Sequence, residues 1–145
     1  MIYLILKHAH SGIRWMVVIL LFAAIINSII RSRRKFWSGD QKLNAAAIYA
    51  LHTQILIGFI LYFISPKVVF SSDSMSSRML RFFLVEHIGL MLVAAVVTTV
   101  GYSISKRIQS DTGKHMRILI FYGIALLLIL LAIPWPWQNY SSGWL

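Results

Sequence analysis

Residues 9–30, AHSGIRWMVVILLFAAIINSII, decide the fold of this chain. They contain one arginine and neither lysine nor carboxylate, and about 20 consecutive apolar residues suffice for an α-helix to cross a bilayer. The basic cluster 31–35, RSRRK, follows directly, as expected where a helix leaves the membrane. No small-x-small cleavage site follows the run, so we expect a retained transmembrane helix rather than a cleaved secretory signal.

Three more apolar runs follow, at about 44–66, 82–104 and 116–135. The 145 residues are 59% hydrophobic and 12% charged, with a mean hydropathy of +0.75, more apolar than a soluble domain of this length. The sequence therefore predicts a single all-α transmembrane domain over residues 1–145, an integral membrane four-helix bundle with up-down topology. The absence of cysteine excludes disulfides, iron–sulfur ligation and covalent c-type haem attachment.

The net charge of +10 is concentrated in two connectors. By the positive-inside rule both connectors are cytoplasmic. We therefore expect a multi-pass protein of the bacterial inner (cytoplasmic) membrane with both termini periplasmic. No recognition motif accompanies the charge, so nucleic-acid binding is not expected. Nine of the fourteen basic residues lie in these connectors: Arg31, Arg33, Arg34, Lys35, Lys42, Lys106, Arg107, Lys114 and Arg117.

Aromatic residues follow the last apolar run. Interfacial tryptophan and tyrosine side chains commonly mark the level of the lipid headgroups. The sequence predicts such a belt at the outer face, formed by Trp135, Trp137, Tyr140 and Trp144.

Each apolar run carries a histidine near one end, in two matched pairs. His10 and His87 both begin H-x-G, whereas His52 and His115 both begin H-x-x-I-L-I. Either the first two helices form a unit that the last two repeat, or this short, gapped similarity has no structural meaning. Ionisable residues inside a bilayer are costly and usually functional, and imidazole is a common ligand of metals and haem.

The up-down topology places helices one and three on a diagonal, so His10 is expected to face His87 across the core. Their depths match near the outer face, as two imidazoles that hold one b-type haem require. Arg14 lies one turn below His10 on the same helix face, and Arg81 lies just outside His87. Both are candidates for pairing with haem propionates, because arginine suits bidentate carboxylate contact.

His52 and His115 are candidates for a second haem site. If helix two begins near Asn44, their depths differ by about 12 Å at 1.5 Å per residue. Alternatively, His52 completes a single site with an outer histidine and His115 is an interfacial polar residue. One or two haems are therefore expected, with axial iron ligands drawn from His10, His87, His52 and His115.

Glycines and the carboxylate in the spans each have two interpretations. Gly12 and Gly89 leave room for a macrocycle, or they are close helix-packing positions, an interpretation that applies equally to Gly58, Gly101 and Gly123. Glu86 is the only carboxylate in a predicted span. It is either a proton acceptor beside a redox centre, for instance at a quinol site, or a member of an ion pair with an arginine, Arg14 or Arg81.

Other chemistries have weaker signatures. His8, His10 and His87 near one face are compatible with zinc or copper, but no cysteine, carboxylate cluster or Met-rich motif supports such a site. Motifs for nucleophilic catalysis are missing, so no catalytic residue is predicted.

Four motifs carry a family resemblance over essentially the whole chain: residues 8–15 HAHSGIRW, 64–68 ISPKV, 85–87 VEH and 133–136 IPWP. They resemble the small four-helix "cytochrome b" membrane proteins of Bacteroidota. More distantly, the layout is similar to one half of haem A synthase and to cytochrome b561-type bundles, which pair histidines across four helices to hold haem. Haem A synthase is about twice as long, and its full ligand set is not matched here.

Together these features predict a haem b-binding inner-membrane cytochrome that transfers electrons across the membrane or from quinol. We expect an electron-transfer protein rather than a stand-alone enzyme, embedded in the lipid bilayer and associated with quinol or a larger membrane complex. One alternative is a non-catalytic accessory subunit of a respiratory or transport complex. Another is a haem-handling enzyme related to haem A synthase.

Overall fold

The computed structural model describes residues 1–140, which contain four long helices and no strand. All four are long and apolar enough to cross a bilayer, so the chain is a multi-pass membrane protein and the predicted all-α fold is confirmed. The predicted aromatic residue Trp144 lies outside the described residues. The helices are α1 (Ile2–Ile30), α2 (Ser38–Ile64), α3 (Arg78–Arg107) and α4 (Asp111–Ala132).

The four helices form an up-down bundle of two hairpins. Helix α1 packs most extensively on α2, and α3 on α4, while the α1–α4 and α2–α3 faces join the hairpins. Helices α1 and α3 are diagonal, as expected. We call the end with Met1 and Tyr140 the terminal end, and the end with the 31–37 and 108–110 connectors the basic end.

Both helices that start at the basic end begin earlier than predicted because polar side chains cap them. The Asp40 carboxylate accepts a hydrogen bond from the Trp37 backbone N–H at 3.0 Å, so α2 begins at Ser38. The Ser110 hydroxyl accepts from the Gly113 N–H at 3.2 Å. Residues 110–113 therefore form the capped start of α4.

Prolines end two helices at the terminal end. Helix α2 stops at Ile64, directly before Ser65-Pro66, as the sequence indicates. Helix α4 stops at Ala132, two residues before Pro134. Helices α1 and α3 start seven and four residues before the predicted spans, at Ile2 and Arg78.

The middle of the bundle is an apolar layer, and polar interior residues lie towards its ends. Large hydrophobic side chains on the outside remain exposed, including Phe22, Phe63 and Leu127, as expected for surfaces that face lipid. The most buried apolar residues of the middle layer are Leu21, Ala24, Ala47, Leu51, Ala94, Ile118 and Ala125.

Glycine has a packing role at Gly101, where an added Cβ would overlap the side chain of Phe121. At Gly12, Gly89 and Gly123 an added Cβ meets no atom of the described residues within 4 Å. The close-packing interpretation is therefore correct for Gly101 and for Gly58, where an added Cβ would lie 3.1 Å from His10 Cε1 on α1. It is wrong for the other three glycines.

The aromatic residues after α4 do not all lie at the surface. Trp137 is largely exposed and stacks on Trp135 with ring centroids 4.8 Å apart. Tyr140 is buried instead and stacks on Phe82 at 4.6 Å. The expected surface position is therefore wrong for Tyr140, because its ring closes the end of the bundle over α3.

Candidate functional site

His10 and His87 approach each other at the terminal end. His10 lies eight residues into α1 and His87 nine residues into α3, so their depths match. Their ring centroids are 6.2 Å apart and the ring planes cross at 70°. Metal–imidazole bonds are about 2 Å long, so an ion held in line between two imidazoles needs their centroids about 6 Å apart.

The His87 ring is oriented by a hydrogen bond to the end of α4. His87 Nδ1 lies 2.7 Å from the carbonyl oxygen of Ala132, which can only accept, so Nδ1 carries the proton and Nε2 keeps its lone pair. Ala132 is the last residue of α4, where carbonyls lack intrahelical partners. Histidine ligands of metals are commonly fixed in this way.

A π-helical turn directly precedes His87. Residues Phe82–Glu86 adopt i→i+5 hydrogen bonding within α3. Single π-turns are rare, change the direction of the side chains that follow, and frequently occur at functional sites. The sequence carries no simple signal for this turn, so the direction of His87 was not predictable in detail.

The His10 ring occupies space that Gly58 leaves on α2. A Cβ at Gly58 would lie 3.1 Å from His10 Cε1. The side chain of Gln54, one turn earlier on α2, donates from Nε2 to the His10 carbonyl oxygen at 2.9 Å. His10 Nδ1 and Gln54 Oε1 are buried and have no hydrogen-bond partner among the described residues, a state that normally indicates water or a ligand.

A cavity of about 160 Å³ surrounds this pair, inside a wider space of about 1250 Å³ that includes its open mouth. An apolar cavity of about 150 Å³ holds one benzene ring, so a porphyrin needs the wider part as well. The walls are mostly apolar side chains of all four helices. Among the described residues, three cations line the cavity, Lys7, Arg14 and Lys67, and no carboxylate does.

Lys67, in the segment after α2, is held at the cavity by contacts with Tyr140 and Phe83. Its ammonium donates to the Tyr140 carbonyl oxygen at 3.0 Å and lies 5.0 Å from the centre of the Phe83 ring. Burial, with the positive charge of Lys7 nearby, holds the pKa of Lys67 below its usual range. An anionic group at this position would therefore be favoured.

The predicted role of Arg81 is not matched by its position. Arg81 Nε donates to Glu86 Oε1 at 2.8 Å, and the two side chains are 41% and 43% exposed. The ion-pair interpretation of Glu86 is thus confirmed. Arg81 does not line the cavity, whereas Arg14 does. Lys7 and Lys67 line the cavity, where arginine side chains were expected. Lys67 could have been identified from the sequence, because it directly follows the proline that ends α2.

His52 lies on the outer surface of the bundle. Its Nε2 is 3.0 Å from the Thr99 hydroxyl oxygen, and that hydroxyl donates to the Ala95 carbonyl, so His52 Nε2 is the donor of the first bond. His52 is exposed between α2 and α3. It does not point into the bundle towards a haem ligand position.

His115 lies inside the basic end instead. Its side chain is fully buried, with the Phe36 ring centroid 4.9 Å away and Asp40 Oδ2 4.0 Å from Nε2. His52 is fourteen residues into α2 and His115 four residues into α4, a depth difference of ten residues, or about 15 Å. The structure therefore does not bring His52 and His115 together.

Within residues 1–140, no group of three or more histidine, aspartate or glutamate side chains could hold a bare metal ion. A haem iron needs only two axial ligands, which His10 and His87 can supply. Comparisons of the chain with protein-family models, with curated proteins and with solved structures find no match.

Proposed function

We propose that the chain is a haem b-binding membrane cytochrome with His10 and His87 as the axial ligands. The observation that carries this proposal is the hydrogen bond from His87 Nδ1 to Ala132, which leaves Nε2 as a ligand atom directed away from α4. Support comes from the matched depth of the two histidines and the 6.2 Å between their centroids. Haem b, when bound, supplies reversible one-electron transfer.

The cations of the cavity have a defined task in this proposal. Lys7, Arg14 and Lys67 would neutralise the two propionates, and the apolar walls would exclude water from the macrocycle. Gln54 fixes the backbone of His10 through its carbonyl oxygen. With only one histidine pair brought together, the proposal is one haem per chain rather than two.

The charge distribution supports an orientation. In this proposal the basic end faces the cytoplasm, in keeping with the positive-inside rule, and the histidine pair then lies near the periplasmic side of a bacterial inner membrane. Electrons would then pass between quinol in the bilayer and an acceptor outside. The motif resemblance to small "cytochrome b" proteins of Bacteroidota is compatible with this assignment.

The test is the reduced-minus-oxidised absorbance spectrum of protein purified from haem-replete cells. We expect one haem b per chain, lost in His10→Ala and in His87→Ala. The control His52→Ala removes an exposed histidine and keeps the haem. A colourless wild-type protein, or normal haem content in both cavity variants, would refute the proposal.

A second candidate function is an accessory subunit of a larger membrane complex. It is favoured by the exposure of His52 and Tyr49 on the lipid side of α2, because ionisable residues in spans usually face protein or a water-filled cavity. A colourless chain that purifies with other subunits in stoichiometric amounts would favour this candidate over the cytochrome.

A further inference from the structure

A second polar layer lies inside the bundle at the basic end. Three helices contribute to it, with Ser28 from α1, Asn44 from α2 and His115 from α4. These side chains are at most 1% exposed. Ten residues of α2, or about 15 Å, separate this layer from Gln54 in the histidine cavity.

Five buried polar atoms of this layer have no well-formed hydrogen bond to any described residue. They are Ser28 Oγ, both amide atoms of Asn44 and both ring nitrogens of His115. The backbone of Arg34 lies close to the His115 ring without forming such a bond. More than nine in ten buried polar groups are paired in proteins, and a buried water typically makes about three hydrogen bonds. The cluster therefore has the donors and acceptors for a small group of waters.

The adjacent carboxylate is already engaged by positive and neutral donors. The Asp40 carboxylate accepts hydrogen bonds from Asn27 Nδ2 at 2.8 Å, from the Trp37 indole N–H at 3.1 Å and from the Trp37 backbone N–H at 3.0 Å. It also forms an ion pair with Arg31 Nε at 3.0 Å. A metal cation would be repelled by Arg31. The neighbouring His115 can bind a proton without displacing Arg31 from Asp40. Its Nε2 lies 4.0 Å from Asp40 Oδ2.

The layer is closer to the aqueous phase at the basic end than to the histidine cavity. A surface groove there is lined by Phe36, Trp37, Ser105 and Lys114. The Phe36 ring packs on His115 and lies under the Lys114 ammonium, which is 5.5 Å from its centre. On the other side the layer meets closed apolar packing.

Tyr122 and the apolar residues around it form that closed side. The Tyr122 hydroxyl donates to the Asn44 carbonyl oxygen at 2.8 Å. Leu51 and Ile118, both fully buried, belong to the same core cluster as Tyr122. Water that reaches Asn44 is thus kept from the terminal end.

We propose that Ser28, Asn44 and His115 form a hydrated proton-binding site that exchanges protons with the basic-end groove past Phe36. One proton from groove water binds a His115 ring nitrogen, and the imidazolium is stabilised by Asp40. No electron moves, and the proton returns by the same route. Asp40, Asp111 and Arg31 are the charged groups that act on this ring, with Lys114 above Phe36.

This site does not depend on haem, so its test is separate from that of the proposed function. We would label the histidines of the full-length chain with nitrogen-15, reconstitute it in lipid nanodiscs and record imidazole NMR spectra. The His115 signals are assigned by their loss in His115→Gln. We expect cross-peaks between the His115 ring and water, and a proton gain as the pH is lowered.

Two variants probe the surroundings of His115. Asp40→Asn should lower the pH midpoint of His115, because it removes the negative charge that stabilises the imidazolium, while the His52 signals stay unchanged. Since Asp40 also caps α2, Asn44→Leu provides a second test, in which the water cross-peak of His115 should fall to about half or less because a water ligand is lost. A His115 ring without water cross-peaks, or without any protonation change down to the lowest pH at which the protein stays folded, would overturn the proposal, as would signals that respond to sodium ions and not to pH.

Discussion

The replacement Gly58→Ala tests the histidine cavity through two effects of opposite sign. Gly58 lies inside α2, where alanine favours the helix over glycine by about 1 kcal/mol. The new methyl group, however, would lie 3.1 Å from His10 Cε1, so the ring must move by a few tenths of an ångström. If His10 is a haem ligand, this shift acts on the iron site, where changes around a ligand typically cost 10- to 100-fold in affinity.

The assay has two readouts on the same preparation. Thermal unfolding of the haem-free protein reports stability, and titration with haem, followed by its absorbance band, reports affinity. The matched control is Gly123→Ala, because a Cβ there meets no atom of residues 1–140 within 4 Å. We expect no loss of stability in either variant and weaker haem binding only in Gly58→Ala. Equal haem affinities for the two variants would refute the proposed role of His10.

Further predictions concern the polar groups around the cavity. Lys67→Gln should weaken haem binding and reduce its salt dependence, whereas Arg81→Gln should leave both unchanged, as haem titration at several salt concentrations will show. Glu86→Gln breaks an exposed pair and should change the free energy of unfolding by at most about 1 kcal/mol; a larger loss in denaturant unfolding would mean a buried role. Gln54→Leu removes the hydrogen bond to the His10 carbonyl oxygen and should broaden the electron paramagnetic resonance signal of bound ferric haem. An unchanged signal would show that Gln54 does not position His10.

The fold was predictable because bilayer physics leaves few choices. Four apolar runs of membrane length and two basic connectors require an up-down bundle, and the diagonal placement of α1 and α3 follows. Helix ends were less predictable. Helix α2 begins at Ser38 because Asp40 caps it and also binds Asn27 of α1, a contact between helices that no local pattern encodes.

The histidine site was predictable only in part. The matched H-x-G motifs identified His10 and His87, but the cavity depends on Gly58, Gln54 and Lys67, which converge only in three dimensions. The second pair illustrates the limit of motif matching, because equal letters around two histidines do not fix the direction of either side chain.

Four residues show why the second pair failed. The helical position of His52 turns it to the outer surface, where Thr99 accepts its hydrogen bond. The capped starts of α2 and α4 place His115 close to Asp40, near the basic end. The H-x-x-I-L-I motif determines neither the helix face on which its histidine lies nor the depth of that histidine in the bundle.

Haem ligation by His10 and His87 can be read from the electron paramagnetic resonance spectrum of the oxidised, purified protein. Two imidazole ligands make ferric haem low-spin, and ring planes that cross at 70° favour strong anisotropy of that signal. We expect such a low-spin signal at one haem per chain. A high-spin ferric signal from the intact protein, or the absence of haem iron, would contradict it.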